Sequence, residues 1–151
     1  MLDNFDHHIL KIMQSNSRRT TESIGQEIGL SSTAVQRRLK HLRDSKVIEK
    51  EVAILSPSKI GSHVLILVEV VLVRGGSSVV NNFKLKMQNH PSVQQCYYVA
   101  GKNDFILMIA ASSMQEYELI TQTLFMDDET ILKFHSNIVM NNVKVGLEIP
   151  L

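Results

Sequence analysis

The sequence has a single cysteine, Cys96, so no disulfide can close within the chain. A reducing, cytoplasmic setting is the expectation that follows. Long apolar runs are missing as well. The longest, Val64 to Val73, is interrupted by Glu69 and falls short of the roughly 18 to 20 residues a membrane span needs. The opening, Met1-Leu2-Asp3-Asn4-Phe5-Asp6, is acidic and lacks the apolar stretch of a secretory leader. The histidines His7, His8, His41, His63, His90 and His135 form no HxxxH pair and no cluster with cysteine, so no metal site is expected. Neither G-x-x-x-x-G-K-[ST], G-x-S-x-G nor G-x-G-x-x-G occurs, and no catalytic residue is assigned. With 44% apolar and 21% charged residues, disorder and fibrous repeats are also excluded.

Net charge is only +1, but it is unevenly spread. Residues 1–60 carry ten basic against seven acidic side chains, and residues 61–151 carry six against eight. The positive peak lies at 31–50, six against two. Around it the pattern is helical. Phe5, Ile9, Ile12 and Met13 repeat at helical spacing behind a capping Asp3. Thr20 caps a second helix, about Thr21 to Ile28, and Gly29 ends it. Ser31-Ser32 start a third, about Ser32 to Asp44, which buries Val35, Leu39 and Leu42. Its other face shows Thr33, Gln36, Arg37 and Lys40, extended by His41 and Arg43. Two short helices joined through a glycine turn match a helix-turn-helix. Arg and Gln suit base edges in a major groove, whereas Lys and Ser suit phosphates. Val47, Ile48, Val52, Ile54 and Leu55 are strand-like and predict a wing, and Ser56-Pro57-Ser58 with Gly61 marks a boundary near 57–61.

The remainder reads as strand, helix, strand, strand, helix, strand. His63–Arg74 is a buried strand and Ser77–Gln88 a helix. Val93–Ala100 and Phe105–Ala111 are strands joined by the tight turn Gly101-Lys102-Asn103-Asp104. Ser113–Leu124 is a helix, Ile131–Met140 a strand, and 143–150 an extended tail. This order predicts a ferredoxin-like antiparallel sheet with both helices on one face. Its other face stays apolar, which predicts self-association as a two-fold dimer. The fold class is therefore α+β, with a winged helix-turn-helix domain at 1–60 and a ferredoxin-like domain at 61–151.

This layout resembles the Lrp/AsnC family of transcription regulators, and particular residues match. Leu2-Asp3 with Asp6 and Ile9-Leu10 resembles the family's L-D-x-x-D-x-x-I-L opening. Gly29-Leu30-Ser31 with Val35, Arg38, Leu39 and Leu42 resembles its recognition segment. Leu55-Ser56-Pro57 and Lys59-Ile60-Gly61 resemble its linker, Gly101 to Asp104 its G-x-x-D loop, and Ile149-Pro150-Leu151 its tail. The resemblance implies binding of double-stranded DNA by a homodimer that assembles into octamers or higher arrays. It also implies a small amino-acid effector and no other cofactor. The candidate DNA contacts are Ser31, Ser32, Thr33, Gln36, Arg37, Arg38, Lys40 and Arg43. The candidate effector contacts are Val99, Ala100, Gly101, Asn103, Asp104 and Ser136. Gly25 replaces the family's usual Ala, at an expected loss of about 1 kcal/mol of helix propensity. Glu129-Thr130-Ile131 stands in place of Pro-Gly-Val. Two other readings are a sensing module without DNA binding and an enzyme similar to tetrapyrrole decarboxylases of related layout. The concentration of basic residues in the third helix favours the regulator.

Overall fold

Asp3 begins the first helix by a reciprocal cap. Its carboxylate accepts from the Asp6 N–H at 2.9 Å, and the Asp6 carboxylate accepts from the Asp3 N–H at 3.2 Å. The computed structural model describes residues 1–61 and 63–151, residue 58 by its backbone alone. Ser62, inside the expected second domain, lies outside the described residues. Helix α1 spans Asn4–Ser15, α2 Thr21–Ile28 and α3 Ser32–Asp44. Their apolar stripes meet in one core of Ile9, Leu10, Met13, Ile24, Val35, Leu39 and Leu42.

Gly25 has a structural reason that helix propensity does not reveal. The chain turns after α2 through Gly29 at φ 76°, and the Leu30 N–H donates back to the Gly25 carbonyl at 2.9 Å. A Cβ on Gly25 would stand 2.4 Å from the Leu30 carbonyl oxygen. The tight crossing of turn over helix therefore requires glycine, and the lower helix propensity accompanies that fit.

The expected wing does not form. Residues 46–56 contain no strand, and Val52, Ile54 and Leu55 are exposed. A strand needs a neighbouring strand for its ladder of N–H and C=O groups, and among the described residues no strand pairs with this segment. A four-residue helix, α4, Pro57–Ile60, follows, with Pro57 in the first turn where its missing N–H does no harm.

The second sheet-based unit holds β1 Val64–Leu72, α5 Gly76–Gln88, β2 Val93–Tyr98, β3 Phe105–Ala111, α6 Met114–Thr121 and β4 Ile131–Ile138. One π-helical turn, Gln122–Met126, extends α6. The strand order is β2-β3-β1-β4, all antiparallel, as the ferredoxin-like reading predicts. Alternate residues of β1 and β3 (Ile66, Val68, Val70 and Leu72; Phe105, Leu107, Ile109 and Ala111) are buried with Phe83 and Met87 of α5 and Tyr117 and Ile120 of α6. The intervening Leu65, Leu67, Val71, Ile106 and Met108 form the other face. Leu67 stands opposite Met108, and Glu69 stands between Ile106 and His135.

Residues cluster into two units, 1–54 with 144–151 and 55–143. The sequence reading placed the boundary near 60 and the tail with the second domain. The structure places the tail with the helices, through a contact that pairs residues far apart in sequence.

Candidate nucleic-acid interface and effector loop

Helix α3 starts with Ser31, whose hydroxyl accepts from the Ala34 N–H at 3.2 Å. The adjacent Ser32 hydroxyl lies 2.7 Å from that of Thr21, pinning the start of α3 to the start of α2. Burial of Val35, Leu39 and Leu42 turns Thr33, Gln36, Arg37 and Lys40 outward, where all four are exposed. Arg37 has no hydrogen bond or ion pair among the described residues. It is the free guanidinium of this face, with five donors in a planar fork.

The other basic candidates are partnered. Lys40 meets Asp44 at 2.8 Å, one helical turn away. Arg43 makes two bonds of 2.9 Å to the Glu51 carboxylate. The hydrogen bond from Asp44 raises the Lys40 pKa, that from Glu51 raises the Arg43 pKa, and the Arg43 guanidinium holds Glu51 below the usual carboxylate range. Lys40–Asp44 is well exposed and Arg43–Glu51 partly so, and solvent screening leaves such pairs weak. A phosphate can replace either carboxylate at little cost.

Arg38 differs from the reading that placed it with the DNA contacts. Its Nη1 lies 2.8 Å from both Asp3 and Asp6, and its guanidinium covers the Phe5 ring at 5.4 Å. The hydrogen bond from Asp6, then that from Asp3, raises its pKa. Asp6 is buried, so Arg38 is the cation that makes a buried carboxylate at the start of α1 tolerable. Sequence reasoning missed this clasp. Its signal was an Arg on α3 together with two acids, three residues apart, at the α1 cap. Arg19 has a similar local role: Nε donates to the Ser23 hydroxyl at 2.9 Å and Nη2 meets Glu27 at 2.7 Å, bracing α2.

In the second unit the effector candidates separate. Val99, Ala100, Gly101, Asn103 and Asp104 share the β2–β3 loop. The Val99 N–H donates to the Asp104 carbonyl, and the Asp104 N–H donates to the Val70 carbonyl, both at 2.9 Å. The Asp104 Oδ2 accepts from the Leu72 N–H at 2.8 Å, beside the irregularity at Val71/Leu72 of β1. One oxygen of this carboxylate therefore rigidifies the loop. Gly101 is exposed, has no left-handed φ, and an added Cβ there meets nothing within 4 Å. Among the described residues, neither backbone conformation nor packing calls for glycine at that position. Ser136 lies elsewhere. On β4, opposite Val68, its hydroxyl is 2.6 Å from the Tyr117 hydroxyl of α6. Strand β1 separates β4 from β3, so Ser136 is not brought into the loop. Tyr117 also lines a shallow groove of about 420 Å³ with Met114, Glu118, Thr121 and Met126.

A helix-turn-helix unit with an outward basic helix shares this chain with a separate ferredoxin-like unit, and the basic helix is the feature of a DNA-binding protein. Comparison with known proteins makes this specific. Residues 2–43 match the AsnC-type helix-turn-helix domain, and residues 65–149 match the Lrp/AsnC ligand-binding domain. An HTH-type transcriptional regulator of Sinorhizobium fredii is 41% identical over 150 residues, covering 99% of this chain and 89% of its own length. The leucine-responsive regulatory protein of Haemophilus influenzae is 30% identical, over 95% of this chain and 86% of its own. A transcriptional regulator of Neisseria meningitidis, solved with L-Met, superposes with a TM-score of 0.90 at 23% identity, covering 99% of this chain and 97% of its own. The chain belongs to the Lrp/AsnC family of transcription regulators. Among the described residues, no helix is long and apolar enough to cross a membrane.

Proposed function

We propose that this regulator reads double-stranded DNA with Thr33, Gln36 and Arg37 toward base edges, and with Ser31, Ser32, Lys40 and Arg43 toward phosphates. Arg38 is left out of that set because its donors hold Asp3 and Asp6. The observation that carries the reading is Arg37, exposed and unpartnered at the centre of the outward face of α3. Arg37→Ala is expected to weaken binding to a selected DNA site by about 1 to 3 kcal/mol in a fluorescence-anisotropy titration. Unchanged affinity sinks this face.

We further infer a small amino-acid effector at the 99–104 loop, completed by a neighbouring copy of the chain. Leucine and methionine head the test set, because a relative is named leucine-responsive and a fold neighbour was solved with L-Met. Gly101 supports the site: bare backbone lets a ligand approach closely, and nothing within the chain explains the glycine. Asp104 acts by fixing the loop through Leu72, with its second oxygen toward an α-ammonium group. Ser136 is assigned instead to the Tyr117 contact. Isothermal titration of Gly101→Ala is expected to show at least a tenfold loss of effector affinity, with an unchanged melting temperature. Full affinity in that variant removes the loop from the site.

The apolar sheet face is assigned to a second copy, giving a homodimer that assembles further into octamers or larger arrays. The setting is cytoplasmic and the role non-catalytic.

A further inference from the structure

We propose that residues 144–151 form a strap on the DNA-reading unit, clasped by the Gln14 side chain to the Ile149 backbone, and that releasing it lowers DNA affinity. The chain leaves the second unit after Val143 and ends in the first. Gln14 lies in the last turn of α1 and makes two hydrogen bonds to one residue, 135 positions away. Its Nε2 donates to the Ile149 carbonyl at 3.0 Å, and the Ile149 N–H donates to its Oε1 at 2.7 Å.

A primary amide presents donor and acceptor side by side, as the backbone of a neighbouring strand does. A carboxylate lacks the donor and an ammonium lacks the acceptor, so this clasp needs Gln or Asn. Two opposed bonds to one residue also fix orientation, which one bond cannot do. Pro150 prepares the site from the other side. The residue before a proline is driven out of the helical region toward extended backbone, and Pro150 itself has no N–H to leave unpaired. The tail alternates Val143, Val145, Leu147, Ile149 and Leu151 with Lys144, Gly146, Glu148 and Pro150, the period of a strand.

The tail's apolar side chains stay exposed, from 51% at Leu151 to 92% at Val143. Core burial therefore does not hold this segment; the clasp does. Two exposed hydrogen bonds are weak enough to open and close, which suits a regulatory element. Fastened by its two hydrogen bonds, the tail is a second, non-covalent tether to the reading unit besides the covalent linker from Leu55. A doubly connected unit has less orientational freedom to lose when DNA is bound, so the strapped form binds more tightly.

The DNA half of this proposal rests on the reading of α3 given above; the clasp itself does not. Hydrogen exchange on the full-length protein tests the clasp without DNA. The Ile149 amide is expected to exchange about tenfold faster in Gln14→Ala than in the unaltered chain. Equal exchange rates overturn the clasp. Affinity for a DNA fragment selected by the unaltered protein is expected to fall about fivefold in Gln14→Ala and in Gln14→Glu, which lacks the donor. Ile149→Pro leaves α1 untouched, removes the N–H together with the exposed Ile side chain, and should give the same loss. Faster exchange with unchanged DNA affinity overturns the regulatory half. If the unaltered protein binds no DNA, the α3 reading fails, and the exchange rates still decide the clasp.

Discussion

Arg37 and Arg38 are adjacent in sequence and face opposite tasks, because a helix turns each residue by about 100°. Arg38→Ala strands the buried Asp6 carboxylate, leaves Asp3 without its guanidinium and uncovers Phe5. Its expected effect is a loss of about 2 kcal/mol in unfolding free energy, below the 3 to 5 of a fully buried pair because Arg38 is partly exposed. Arg37→Ala should leave that free energy within about 0.5 kcal/mol and lower DNA affinity instead. Denaturant unfolding beside DNA titration of the two variants separates the roles. The reverse pattern contradicts the assignment.

A second residue-scale prediction concerns acid. Burial pushes the Asp128 pKa up, but the Lys86 ammonium at 2.8 Å and the bonds from Thr130 outweigh it, and the net shift is downward. A carboxyl lowered in the folded state contributes stability above its unfolded pKa and loses it as pH falls through the folded value. Asp128→Asn should therefore cost about 1 kcal/mol at pH 7, modest because Lys86 is partly exposed. The gap to the unaltered protein should close as pH falls below the ordinary carboxylate range. A urea-unfolding series against pH reads both; a gap that persists in acid contradicts the pairing.

Among the elements, α2 and its turn give the sharpest test. Propensity alone says Gly25→Ala stabilises by about 1 kcal/mol. The Leu30 carbonyl at 2.4 Å from the added Cβ says the reverse, a loss of about 1 to 3 kcal/mol through overpacking. Thermal denaturation of Gly25→Ala decides by its sign. The elements themselves were readable because periodicity fixes them. Helical spacing found α1 and α3, and the short apolar runs at His63–Arg74 and Phe105–Ala111 found the two central strands. The wing was misread because β propensity at Val52 and Ile54 reports a side-chain preference and does not supply a hydrogen-bonding partner. Gly25, Arg38 and Gln14 were illegible for one shared reason. Each answers to a residue brought close by the fold, a carbonyl five positions on, a pair of acids over thirty positions back and the Ile149 backbone at the far end of the chain. The partner of Ser136 was illegible in the same way: its resemblance to a family position says nothing of Tyr117, whose hydroxyl lies 2.6 Å from its own.

At the scale of the whole molecule, the proposed assembly rests on the sheet. Helices α5 and α6 cover one face, and Leu65, Leu67, Val71, Ile106 and Met108 lie on the other. A second copy placed there buries this apolar patch and removes its exposure to water. Leu67→Arg puts a charge at its centre, opposite Met108. Light scattering should then report a smaller species, while circular dichroism keeps the helix and strand content. Retention of the full assembly by that variant contradicts the use of this face.

The central claim is that an amino acid, bound in one unit, changes how the other unit holds DNA. The direct measurement is a DNA-affinity titration of the full-length protein on a selected fragment, with and without saturating leucine or methionine, repeated over a series of salt concentrations. The account predicts affinity that falls steeply with salt, as expected when Lys40 and Arg43 neutralise phosphates, and a shift of at least fivefold on adding one of the two amino acids. Binding insensitive to salt, or a salt-dependent affinity that neither amino acid moves, contradicts it.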